Sequence, residues 1–215
     1  MVDETSMTRT LEAIVGRFDE TSAARDRALT EGRHIVRLSA NSIRAVHRGD
    51  FDEAEDLVGQ ANRLLSELTV HLRSYPNVYW AGYVQDAMKE YAEAIATRSF
   101  VLDRPLPGPR DLGVEDAAYL NALAEAASEL RREVLDALRR NEVSRAERLL
   151  GRMDDVYDLL VSVDFPDAVT GGLRRATDQL RAVLERTRGD VTITLTQQRL
   201  EGALQQVQAR FDKGS

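Results

Sequence analysis

Carboxylates recur at helical spacing in two stretches of this 215-residue chain, and they are the side chains best suited to chemistry. Between Val78 and about Ser99 an apolar stripe runs through Trp80, Tyr83, Val84, Ala87, Tyr91, Ala94 and Ile95, with Asp86, Glu90 and Glu93 along one flank. Farther on, Leu120, Leu123, Ala127, Leu130, Val134 and Leu138 make a packing side, and Glu125, Glu129 and Glu133 project opposite it at successive turns. Like charges four residues apart on a helix repel by roughly a few tenths of a kcal/mol each. A divalent cation relieves such repulsion, because several oxygens from two helices are what Mg²⁺, or Mn²⁺ in its place, accepts. Plain exposed acidic faces account for the same residues, and on residue types alone that account is favoured.

A second pattern is basic. At 100° per residue Arg33, Arg37, Arg44 and Arg48 fall within about 60° of one another, with Ile35, Leu38, Ser42, Ala45 and Val46 on the opposite face. Such a row of guanidinium forks suits phosphates, although a solvated face has the same appearance. Other reactive chemistry is scarce. Cysteine is absent, which removes disulfides, thiolate zinc sites and a cysteine nucleophile. The three histidines, His34, His47 and His71, are too far apart to form a helical pair. Gly171-Gly172 has no GK[ST] beside it, so no phosphate loop is present, and there is no nucleophile elbow. Trp80 with Tyr79 and Tyr83 could stack bases, but aromatics on an apolar stripe usually belong to the core.

The elements that must position these residues are helices. Apolar residues recur at three and four, almost never at two. Breaks fall at Gly49-Asp50, Tyr75-Pro76-Asn77, the Arg104 to Gly113 segment, Arg140-Asn141, Phe165-Pro166 and Gly189-Asp190, which predicts about seven helices. The β-branched run Val191 to Thr196 reads as a linker or the first turn of a final helix. Length and composition predict one all-α domain over residues 1–215, since 43% hydrophobic and 30% charged residues describe an ordinary globular chain. The net charge of −7 is not the usual signature of a protein that coats nucleic acid, yet 27 of the 29 basic residues are arginine, with Lys89 and Lys213 the exceptions. Met1 to Arg9 lacks the apolar core of a signal peptide, and no stretch approaches a membrane span, so a cytoplasmic protein is expected whether translation starts at Met1 or Met7.

Four pieces of the sequence resemble one family. They are Arg33-His34-Ile35-Val36-Arg37-Leu38-Ser39, Lys89-Glu90-Tyr91-Ala92-Glu93-Ala94, Tyr119-Leu120 through Glu125 to Glu129-Leu130, and Val156-Tyr157-Asp158. In order and spacing they are similar to translin-associated factor X and its archaeal translin-like relatives, across nearly the whole chain. The resemblance implies a seven-helix bundle assembled into a hollow octameric barrel that holds single-stranded RNA, or single-stranded DNA, inside. It implies a Mg²⁺-dependent endoribonuclease, because the catalytic branch keeps four metal-binding carboxylates, which fall here on Glu90, Glu93, Glu125 and Glu129. The position of Glu125 is aspartate in the animal catalytic subunit, so this chain is longer there by one methylene. The basic motif of animal translin has no equivalent, because Tyr79 to Gln85 contains no arginine; Arg33, Arg37, Arg44 and Arg48 become the candidate RNA contacts. A non-catalytic single-strand-binding particle on the same barrel is the alternative.

Overall fold

A computed structural model describes residues 4–213, so the alternative start at Met1 and both tips of the 1–215 domain lie outside the described residues. The described chain is helical throughout, with no strand: α1 Glu4–Arg48, α2 Phe51–Leu72, α3 Pro76–Tyr79, α4 Gly82–Val101, α5 Pro109–Leu112, α6 Asp116–Arg139, α7 Val143–Val161, α8 Asp167–Thr170 and α9 Leu173–Lys213. Six of these are long, and the single turns α3, α5 and α8 lie at or just after predicted breaks. None of the helices is long and apolar enough to cross a membrane among the described residues.

Two compact units divide the chain: the described part of Met1–Ile95 with Pro107–Tyr119, and Ala96–Leu106 with the described part of Leu120–Ser215. In the first, α1 turns back as α2 through Gly49, whose φ of +82° is a conformation that glycine adopts without steric cost. Along α2 the residues Ala54, Val58, Ala61, Leu65, Leu68 and Leu72 repeat at four and three, and all are buried. Ile35, Leu38, Ala45 and Val46 are the buried side of α1. Ser42 is buried among them because its Oγ donates to the Ala54 carbonyl at 2.9 Å, which fixes the α1–α2 register.

In the second unit the core gathers Phe100, Leu130, Val134, Leu149, Met153, Val156, Leu160, Leu173, Leu180 and Leu184. Asn141 reverses the chain between α6 and α7 at φ +65°, a left-handed position that asparagine tolerates better than most residues. Polar ties are few and specific. Arg131 of α6 holds Asp190 of α9 at 2.8 Å and donates to Thr187 at 3.1 Å, and Asn121 donates to the Thr170 carbonyl at 2.8 Å.

The break expected at Gly189-Asp190 does not occur; both residues lie inside α9. Leu180, Leu184, Thr187 and Val191 continue one buried stripe across Gly189, and that packing outweighs the ~1 kcal/mol that glycine costs a helix interior. Nor is Val191 to Thr196 a linker. Thr192, Thr194 and Thr196 each donate a hydroxyl to the carbonyl four residues earlier, at 2.8, 2.9 and 2.9 Å, so the β-branched run sits comfortably in the helix.

Both ends of this sequence leave apolar surface uncovered. Met7, Leu11, Val15 and Phe18 form an exposed stripe on α1, and Ile193, Leu200, Leu204 and Val207 form another on α9.

Candidate functional site

On α4 the carboxylates stand among small residues. Glu93 is only 7% exposed, between buried Ala92 and Ala94, and Glu90 is half-buried one turn earlier. Lys89 reaches both neighbours, with its Nζ 3.2 Å from Glu90 and 3.4 Å from the exposed Asp86. Every residue from Ala87 to Phe100 is buried or half-buried, so little of that stretch of α4 meets solvent. Asp86 is solvated as residue types favoured, but Glu90 and Glu93 are not. A buried carboxylate requires hydrogen bonds, a cation or a proton, and the first two keep it charged. Burial also pushes the Tyr91 hydroxyl up to about 12, which keeps it protonated and removes it as a base near neutrality.

On α6 the carboxylates are likewise drawn in. Glu125 and Glu129 are half-buried, and Ala122, Ala124, Ala126 and Ala127 around them are fully buried. The expectation that Glu133 projects outward with them is corrected by its position. It is buried, with Oε2 3.4 Å from Arg145 of α7, and its role is to tie the two helices together. Within the first unit, one carboxylate oxygen of Glu90 and one of Glu93 lie within 4.8 Å of each other. In the second unit Glu129 stands one turn beyond Glu125 on α6. The donor set is all hard oxygen. Ligands at about 2.1 Å from one ion stand at most about 4.2 Å apart, so small side-chain rotations bring the Glu90–Glu93 pair to the spacing that Mg²⁺ or Mn²⁺ accepts.

The arginine row is exposed as predicted. Arg33, Arg37, Arg44 and Arg48 all face solvent, and the residues predicted opposite them are buried. Their availability differs, however. Arg48 is held by Asp50 at 3.0 Å and Glu53 at 2.6 Å, contacts that raise its pKa, whereas Arg44 donates to the side-chain oxygen of Asn41 at 3.2 Å and has no ion pair among the described residues.

One set of basic residues escaped the reading of the sequence. Glu129 shares a shallow groove with Arg132, one turn further along α6, and with Arg139. The signal was present as Arg131-Arg132 immediately after Glu129-Leu130, but Arg131 is committed to Asp190 and only Arg132 is turned outward.

Comparison with known proteins places the fold. The solved structure of AfC3PO in complex with duplex RNA matches this chain with a TM-score of 0.81 and 35% sequence identity, covering 87% of this chain and 97% of that one. The chain belongs to the translin family. A second AfC3PO crystal structure matches with a TM-score of 0.80 at the same identity and coverage. Apo-NeC3PO, at 18% identity and TM-score 0.78, shares the translin fold over 90% of this chain. An uncharacterized protein of Methanocaldococcus jannaschii is 29% identical over 200 residues, 92% of this translin-family chain and 88% of its own length. No family model matches the sequence.

Proposed function

We propose that the protein is an RNA-binding endoribonuclease that depends on Mg²⁺, or Mn²⁺ in its place, and works as a closed octameric shell around single-stranded RNA. The observation that carries this reading is that carboxylates are drawn in as pairs within each unit, Glu90 and Glu93 to within 4.8 Å on α4, and the half-buried Glu125 and Glu129 one turn apart on α6. A protein that only binds a polyanion gains nothing from drawing carboxylates together, because they repel the phosphates. Glu129 completes the quartet from the next turn of α6. Likeness to AfC3PO, which has been solved with duplex RNA, supports RNA as the ligand class. The uncovered stripes of α1 and α9 support self-association, since a second copy would bury them.

In this reading Glu90, Glu93, Glu125 and Glu129 would hold the cation. The ion, when bound, supplies Lewis acidity toward a phosphate oxygen and toward water. Arg132 holds a neighbouring phosphate from the groove beside Glu129. A glutamate of the quartet that the ion does not engage would accept the proton of the attacking water, whose oxygen bonds to phosphorus as the bond to the leaving oxygen breaks and that oxygen takes a proton from solvent. Fluorescently labelled single-stranded RNA is therefore expected to be cut internally in Mg²⁺ and left intact in EDTA. Cleavage that persists in EDTA overturns the metal site; binding without cleavage under both conditions favours the non-catalytic particle. Light scattering that returns the 24.0 kDa of one chain overturns the shell.

RNA affinity is the place where the α1 row is tested. Replacing Arg37 and Arg44 together with alanine is expected to weaken binding, and to flatten the slope of log affinity against log salt by about 1.4 if each contacts one single-strand phosphate. A filter-binding salt series measures both. Unchanged affinity at every salt concentration would assign the row to solvent.

A further inference from the structure

Trp80 contradicts the stripe that placed it in the core, since it is 61% exposed in the turn between α3 and α4. It stands on the wall of an open cavity of about 560 Å³ in the first unit, where the end of α2 meets α3 and α5. Such a volume is ordinary for a small-molecule site.

The walls are fixed by several contacts. Tyr79 packs edge-on against Trp80, with ring centroids 5.2 Å apart and an interplanar angle of 82°. Its hydroxyl donates to Glu115 at 2.5 Å, and burial together with Glu115 raises its pKa to about 12, so that it remains a donor. On the other side Gly113 ends α5 at φ +67°, and the Asp111 carboxylate accepts the Gly108 N–H at 3.0 Å. The Tyr119 hydroxyl pins the proline loop by donating to the Pro107 carbonyl at 2.9 Å. Arg73 and Arg110 line the same cavity, both exposed, and no ion pair to either is found among the described residues.

An indole face held in place beside two uncommitted guanidinium groups suits a planar ring carrying a phosphate. The indole stacks on the ring, the guanidiniums grip the anion, and Glu115 accepts from an amino or hydroxyl group. We infer that this cavity binds one nucleotide, its base on Trp80 and its phosphate on Arg73 and Arg110. The nucleotide is either free or the terminal residue of an RNA strand. The inference does not rest on the role of the glutamates, because no cleavage enters it.

Trp80 is the chain's one tryptophan, so its emission reports this cavity alone. AMP, a 5′-phosphorylated oligoribonucleotide, ribose 5-phosphate and inorganic phosphate are titrated separately into the full-length protein in EDTA. AMP and the oligonucleotide are expected to quench Trp80 saturably, and the two ligands that lack a base are not. Arg73→Gln and Arg110→Gln, both surface changes that the fold tolerates, are each expected to raise the midpoint roughly tenfold, as loss of one charge-assisted contact requires. An oligonucleotide bound tenfold or more tighter than AMP points to a strand terminus, and any smaller ratio to a free nucleotide. Absence of saturable quenching by both, equal quenching by phosphate alone, or midpoints that neither arginine variant moves overturns the site.

Discussion

Glu129→Gln is expected to bind single-stranded RNA at least as tightly as the parent and to cut it about 100-fold more slowly or worse, the loss of about 3 kcal/mol of transition-state stabilisation. The substitution removes a charge while keeping size and hydrogen-bonding capacity, so assembly and thermal stability should change little. Glu125→Gln is expected to behave alike, and metal affinity should fall with the rate in both. The control has to be an acidic residue that neither joins the quartet nor holds the fold. Glu133 fails that requirement, since it is buried against Arg145 and its loss would disturb the α6–α7 packing. Asp86 meets it: it lies one turn before Glu90, is exposed, and touches only Lys89 in a surface-type pair worth little. Asp86→Asn should therefore cut nearly normally. Single-turnover rates that fall equally in Asp86→Asn and Glu129→Gln would sink the assignment of the site.

The neighbouring residue should show the opposite behaviour. Leu130 has no exposed surface and lies in the core of the second unit, on the side of α6 turned away from Glu129. Leu130→Ala removes three carbon atoms where nothing can collapse freely, and such truncations cost about 2–5 kcal/mol. For a chain of this size that corresponds to an apparent Tm lower by roughly 5–20 °C. Calorimetry or circular dichroism at fixed protein concentration measures it, because any self-association couples stability to concentration. A fall of less than about 1 kcal/mol would mean that the core around Leu130 is looser than its burial indicates.

Much of this architecture is legible in the sequence because turn chemistry is local. Gly49, Pro76, the prolines at 105, 107 and 109, Asn141 and Pro166 all mark chain reversals or single-turn segments that the structure contains. Gly189-Asp190 misled because its turn signal competes with a periodic stripe that runs through it, and tertiary packing of Leu184, Thr187 and Val191 decides the outcome. Trp80 misled for a different reason. Counting 100° per residue holds only inside a helix, and α4 begins at Gly82, two residues later.

The candidate site was only half legible. Residue spacing placed Glu90 and Glu93, and Glu125 and Glu129, on common helix flanks, but nothing in one helix reveals how deep a flank is buried. The reading of α6 assumed one packed face and one wet face. Ala118, Ala122 and Ala126 are buried as well as Leu130 and Val134, so the helix is packed on two sides and Glu133 is carried inside. Alanine carries too weak a hydrophobic signal to announce a packed face. Arg132 was overlooked because charge alone does not separate it from Arg131, which the fold spends on Asp190.

The buried alanines beside these glutamates carry a consequence for how the protein can drift in sequence. Ala92 and Ala94 flank Glu93, and Ala124 and Ala126 flank Glu125, each with at most 1% of its surface exposed. At such buried positions a larger side chain tends to push its helix outward or to bend into strain. A displacement of an ångström that leaves the fold intact is enough to spoil a ligand geometry. These four positions take no part in any chemistry, yet they set the depth at which Glu93 and Glu125 stand. In a library of random substitutions they should tolerate glycine or serine and reject valine and leucine, with losses of activity that precede losses of stability.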